Sequence, residues 1–362
     1  MRNSILVLFI SLIILLSCKK SEYPVIPLQP AITMYFPPVG STDWQTTSVS
    51  SHGWNETLLN DLYTYLQQKN TKAFIILKNG KVVSERYFGT FTADSIWYWA
   101  SAGKTATAML VGIARQEGLL NINNKSSQYL GTGWTSLPLA KENLITIRNQ
   151  LTMTTGLDDG VPDNDCTLPS CLIYKSDAGN RWAYHNAAYT LLDKVVENAT
   201  GTTYNNYFQQ KIRNRIGMNG LWAPSGYNNV YYSNARSMAR FGLLLLNKGK
   251  WDQDVIVSDS NYFNAQVYTS QNLNLSYGYL TWLNGKTSHM LPTVQNIFSG
   301  MMIPNGPADM YAALGKNDQK IYVVPSQNLV VIRMGESAGN LQLALSSFDN
   351  ELWGKLKSII GY

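Results

Sequence analysis

The chain is short of histidine and cysteine. Three histidines (His52, His185, His289) and three cysteines (Cys18, Cys166, Cys171) are spread over 362 residues. None of the histidines has a partner at metal-ligand spacing, so a zinc site is not expected, and no metal or cofactor is assigned. A serine–histidine triad would need His185 or His289 to reach a serine far away in the sequence. Charge is scarce as well: 14% of residues are charged, with a net of +6. The basic residues are scattered apart from Lys19-Lys20, with no stripe and no nucleic-acid module, so a nucleic-acid partner is not expected. The apolar run from Ile5 to Leu16 is about a dozen residues, too short to span a bilayer as a helix. Internal repeats and low-complexity tracts are missing too.

What is present is apolar bulk. Hydrophobic residues make up 45% of the chain, enough for a sizeable core in one large domain or two. One stretch stands out. From Ala102 to Ile113 the pattern is apolar on nearly every side, which predicts a buried helix. Its few polar groups then need a reason. Ser101 falls at the expected first turn, a capping position. Lys104 is three residues on, so the two side chains share a face. Dry surroundings at the positive end of a helix disfavour an ammonium. A neutral lysine can take the serine's proton and leave an activated nucleophile. The spacing alone is not specific, since Ser17-Cys18-Lys19-Lys20 repeats it; the apolar setting singles out Ser101 and Lys104.

Residues 1–17 read as an export signal. Leu15-Leu16-Ser17-Cys18 resembles the lipobox of bacterial lipoproteins, which implies cleavage before Cys18 and lipid on its thiol. The expectation is an exported lipoprotein held at a membrane by that lipid, facing the periplasm or the cell surface. Residues 18–50, rich in Pro, Ser and Thr without a period, read as a tether. The domain is then 51–362, opening with a helix near Asn55–Gln68. A hairpin follows through Ala73–Leu77, Asn79-Gly80 and Val82–Phe88. Helices are expected at Ile145–Leu157 (ended by Gly156), Tyr189–Val196 and Ser237–Leu246. Strands return at Met310–Gly315, Lys320–Val324 and Leu329–Met334, with a closing helix over Leu341–Ile359. Two early and three late strands imply one antiparallel sheet, built from about 51–100 and 290–362, with a helical insert at about 101–289. In an exported chain, Cys166 and Cys171 are close enough to pair and pin the loop between them.

A Ser/Lys pair needs a second proton carrier, and a tyrosine suits if a nearby cation lowers its pKa. Tyr184-His185-Asn186 supplies one, with Asn186 placed to orient Lys104 and a substrate carbonyl. Tyr232 is the second choice. The backbone N–H of Ser101 can donate to an oxyanion. Ala313-Leu314-Gly315 has the character of a strand passing the nucleophile, with the second donor at the N–H of Lys316.

Taken together, these residues resemble the serine β-lactamase and penicillin-binding-protein superfamily, in its class C-related branch with aminohexanoate-dimer hydrolases and esterases. Ser101-Ala102-Gly103-Lys104 is similar to its first motif, and the segment from Tyr184 to Leu192 to its second. The resemblance implies an α/β fold, an antiparallel sheet flanked by helices plus an inserted helical domain. It also implies acyl transfer through a serine ester. The third motif departs: Ala313-Leu314-Gly315 stands where the family has Lys-Thr-Gly or His-x-Gly. Lys316-Asn317-Asp318 lies too near the next strand to replace it and lacks the glycine. Loss of that cation weakens the case for β-lactams and leaves a backbone oxyanion hole intact. The expectation is a serine hydrolase acting on a small-molecule or peptide-like ester or amide. The rival is a weak or inactive member that binds peptidoglycan or peptide.

Overall fold

The computed structural model describes residues 33–339 and 344–362. The export run, Cys18 and the first part of the expected tether lie outside the described residues. Five helices and one six-stranded sheet frame the site. The helices are α1 (Glu56–Gln68), α2 (Gly103–Gln116), α3 (Leu192–Thr200), α4 (Ala235–Leu246) and α5 (Ser347–Ile360). The sheet strands are β1 (Thr71–Lys78), β2 (Lys81–Tyr87), β3 (Trp282–Leu283), β4 (Tyr311–Gly315), β5 (Gln319–Val324) and β6 (Leu329–Gly335). Their spatial order is β2-β1-β6-β5-β4-β3, antiparallel throughout.

The hairpin turn takes the backbone that Asn-Gly favours, with φ of 52° at Asn79 and 80° at Gly80. Strands β5 and β6 are buried at every residue, so each Val or Ile there contributes roughly 1.5–3 kcal/mol of apolar burial. Side chains alternate between the two faces. Ile321, Val330 and Ile332 come up against Gly242 of α4, where a Cβ would sit 2.6 Å from Val330 Cγ1. Lys320, Tyr322 and Arg333 point to the other face, under α5: Tyr322 packs edge-on against Trp353, and Arg333 lies over the Phe348 ring.

The sheet has six strands rather than five. Trp282-Leu283 pairs with Tyr311-Ala312, although it falls in the segment read as helical; two residues are too few to show a period. Trp97-Tyr98 does not join this sheet. It pairs with Tyr232-Ser233 in a small three-stranded sheet completed by Leu221–Ser225. Residues 34–50 are no tether. Tyr35 N–H donates to Asn79 O, Thr47 N–H to Val82 O, and Arg240 donates to the carbonyls of Pro37, Pro38 and Ser41. That segment docks by single side chains and backbone bonds, which leave no periodic signal.

Two helices are shorter than expected. The one near 150 covers Ile147–Leu151, opened by a Thr146/Asn149 capping box and stopped by Met153 at φ 58°; Gly156 lies beyond it. The last helix starts at Ser347 because Ser346 and Asp349 cap each other. Cys166 and Cys171 form a disulfide.

Candidate active site

The site begins with a kink. Trp99 is held by its backbone N–H on Tyr231 O (2.8 Å) and by its indole N–H on Ser233 Oγ (2.7 Å). Ala100 follows at φ 47°, a left-handed conformation that costs an alanine about 1 kcal/mol or more. A 3₁₀ turn over Ala100–Ala102 then delivers Ser101 to the start of α2. Every residue from Gly103 to Ala114 is buried, as the all-round apolar pattern requires. Ser101 does not cap the helix, which has no side-chain cap. Its hydroxyl is used elsewhere.

Lys104 Nζ donates to Ser101 Oγ at 3.0 Å. The lysine is 4% exposed and is wedged between rings, its Nζ 4.1 Å from the centroid of Tyr189 and 5.2 Å from that of Tyr184. No carboxylate lies within ion-pair distance of it among the described residues. Burial brings its pKa down to about 7; the more distant carboxylates of Asp165 and Asp193 restrain the fall. Near neutral pH the amine therefore exists in both forms, and its lone pair can receive the serine proton along the bond already made.

Tyr184 lines the same cavity as Ser101, its ring beside Lys104 Nζ. Its pKa is raised, not lowered as expected. Burial dominates, and the opposing influence of the nearby Ser101 hydroxyl is smaller. Tyr184 is thus a phenol with a proton to give. Tyr232 lines the same cavity.

Asn186 departs from expectation. It does not bond to Lys104. Its amide donates to Asp165 Oδ1 at 2.8 Å, and its own oxygen is buried without a partner. The disulfide loop explains this: Asn164 and Asp165 precede Cys166, and Asn164 meets the same segment, its Nδ2 donating to Tyr184 O and its carbonyl accepting from Ala187 N–H. His185 is a helix cap, its Nδ1 accepting from Ala188 N–H, and burial lowers its pKa to about 4. His289 bonds to Gly300 O. Neither histidine lines the cavity that holds Ser101.

The opposite wall is the end of β4. A Cβ on Gly315 would fall 2.4 Å from Trp99 O and 3.1 Å from the backbone nitrogen of Ser101. Only glycine lets the strand approach the Ser101 turn this closely. Ala313 and Leu314 are buried sheet residues. Lys316 and Asn317 line the cavity with Ser101, Lys104 and Tyr184. A cation therefore does stand on this wall: the exposed side chain of Lys316, further along the strand than in the family pattern. The cavity measures about 590 Å³ and is faced largely by asparagines and tyrosines.

Sequence reasoning missed three participants. Tyr189 cradles the lysine, and its place five residues after Tyr184 was visible. Asp165 fixes Asn186 from a loop with no period to read. Asp193, held through Asn229 (2.8 Å), has its carboxyl pushed up by burial.

A family model described as Beta-lactamase matches residues 64–348. Among solved structures, similarity extends to a protein described as a 6-aminohexanoate-dimer hydrolase from Bacillus anthracis (19% identity, 83% of this chain and 81% of that one, TM-score 0.64). It extends also to one described as a beta-lactamase from Bacteroides dorei (16%, 85% and 100%, TM-score 0.67). A third is a penicillin-binding-protein homologue from Caulobacter crescentus (12%, 84% and 98%, TM-score 0.64). At these identities what is shared is the fold. No curated protein matches the chain.

Proposed function

The chain belongs to the Beta-lactamase family, and from that premise we propose that it is a serine hydrolase that cleaves an ester or amide through an acyl-enzyme. The observation that carries the reading is the 3.0 Å contact between Ser101 Oγ and a lysine amine whose pKa burial has brought to about 7. In this mechanism Lys104 takes the hydroxyl proton as Oγ bonds to the substrate carbonyl carbon. The backbone N–H groups of Ser101 and Lys316 hold the resulting oxyanion. Tyr184 gives its proton to the leaving oxygen or nitrogen as that bond breaks, and Lys104 returns one to Tyr184. Water then gives a proton back through the same pair, attacks the acyl carbon and releases Ser101 with the acid product.

The likeness to a protein described as a 6-aminohexanoate-dimer hydrolase supports a linear amide or ester as substrate. The substrate is a small or peptide-like molecule that enters the cavity between Ser101 and Asn186. The protein acts outside the cytoplasm, anchored by lipid on Cys18.

A fluorophosphonate probe offered to the wild type and to Ser101→Ala tests the reading. One label per wild-type chain and none on the variant is expected, with turnover of a nitrophenyl ester lost in parallel. Equal labelling of both overturns it, and a folded protein that takes no label leaves the binding alternative.

A further inference from the structure

Resting on the acyl-serine reading, we propose that Arg333 is a positioning residue for the oxyanion donor at Lys316, acting through the β4–β5 corner. Arg333 is fully buried on β6 and does not line the cavity that holds Ser101. It makes five hydrogen bonds, one for each N–H it carries. Two go from Nη1 to the carbonyls of Asn317 (3.1 Å) and Asp318 (2.9 Å). Two go from Nη2 to Lys69 O and Glu336 O, and Nε reaches Thr71 Oγ1. No carboxylate lies within ion-pair distance of it among the described residues; Asp318 and Asp349 are taken by Lys320. A buried guanidinium with four of its five hydrogen bonds on main-chain carbonyls is an expensive way to fill space. Its geometry matches a different task, the gathering of backbone segments into one place.

The corner needs such a clamp. Asn317 and Asp318 stand at φ 59° and 58°, two successive left-handed residues, neither a glycine. Backbone of that kind persists only when its surroundings hold it. Gln319 assists by donating to Asn317 O, and Asp318 is fixed by Lys320, Ser346 and the N–H of Ala338. On the outer side Asn317 donates to Tyr98 OH, itself on the cavity wall. The corner directly follows Gly315, which presses on the Ser101 turn, and Lys316 lies between the two. A corner relaxed toward right-handed backbone would swing the Lys316 N–H away from the serine. It would leave Ser101, Lys104 and Tyr184 where they are. Arg333 thus serves oxyanion stabilisation and not nucleophile activation.

The test compares wild type with Arg333→Lys, which keeps the charge and loses the fork, using nitrophenyl-ester turnover and the rate of fluorophosphonate labelling on folded protein. The expected result is a fall in kcat of about 30-fold, with KM changed less than about twofold and the acid limb of the pH profile unmoved. Labelling slows in step. A purely structural role would lower the folded fraction and leave kcat per folded chain intact; that outcome overturns the proposal. Should Arg333→Lys not fold, Thr71→Val decides, since it removes only the hydroxyl that holds Nε. A fall of about threefold in kcat is expected there, and wild-type kcat refutes the role. Failure of the parent reading looks different, because wild type itself would then take no label at Ser101.

Discussion

Lys104 and Lys320 are both buried lysines on rigid elements, and their surroundings differ entirely. Lys320 is fully buried on β5 and lies 3.1 Å from Asp318 and 2.8 Å from Asp349, with Ala344 O as a further acceptor. Lys104 has a hydroxyl and two aromatic rings and no ion pair. The first is a compensated charge that ties β5 to α5. The second is an uncompensated one, and burial drives it toward the neutral amine. The difference teaches that burial alone does not make a lysine reactive; burial without a counter-ion does.

Replacing each lysine by methionine breaks the comparison most sharply. Lys104→Met should lower kcat for an activated ester by about a thousandfold. The same change should stabilise the fold by about 1 kcal/mol near neutral pH, because no charge need then be buried. Lys320→Met should do the reverse. It strands Asp318 and Asp349 without their cation, at a cost of about 3–5 kcal/mol by urea unfolding. Any surviving folded protein should keep the wild-type acid limb. Equal effects of the two substitutions on both measurements would dissolve the distinction.

The pH profile sharpens it further. In the proposed mechanism only neutral Lys104 activates Ser101, so kcat/KM should rise with pH through a midpoint of about 7 and fall about tenfold per unit below it. Stability carries the same sign. The folded-state pKa lies below the unfolded value of 10.5, so the unfolded chain holds more protons between about 7 and 10.5. This group's penalty is therefore full below 7 and disappears as pH rises through that window.

The smallest effect is at Asp165, whose charge holds the lysine's pKa up. Asp165→Asn keeps an acceptor for Asn186 and removes the charge. The midpoint should move to lower pH by a few tenths of a unit. Movement to higher pH would show that Asp165 does not act on Lys104 through charge.

The Ser101–Lys104 contact was legible because a three-residue spacing at a helix start brings two side chains together wherever the helix lies. The sheet was legible from β-rich runs and one Asn-Gly turn. Long-range placements were not. Phe36, edge-on against Trp251, and Trp44, whose indole donates to Gly80 O, are aromatic anchors in a segment without periodicity, and they dock one at a time. The left-handed corner at Asn317-Asp318 uses two residue types that tolerate that backbone, yet Asn-Asp in a loop looks ordinary. Asn186 was assigned by motif, and the carboxylate that captures its amide comes from a loop whose course the disulfide settles.

The burial of α2 on all sides has a mechanical corollary. A rod enclosed along its length has no path on which to slide or roll. Ser101 and Lys104 ride on one end of it, so their separation is indifferent to breathing of the cleft. Tyr184 and Lys316 arrive on other segments, and their distances to the serine change whenever the walls part. Opening and closing would therefore leave the Ser101–Lys104 contact intact while moving Tyr184 and Lys316 together.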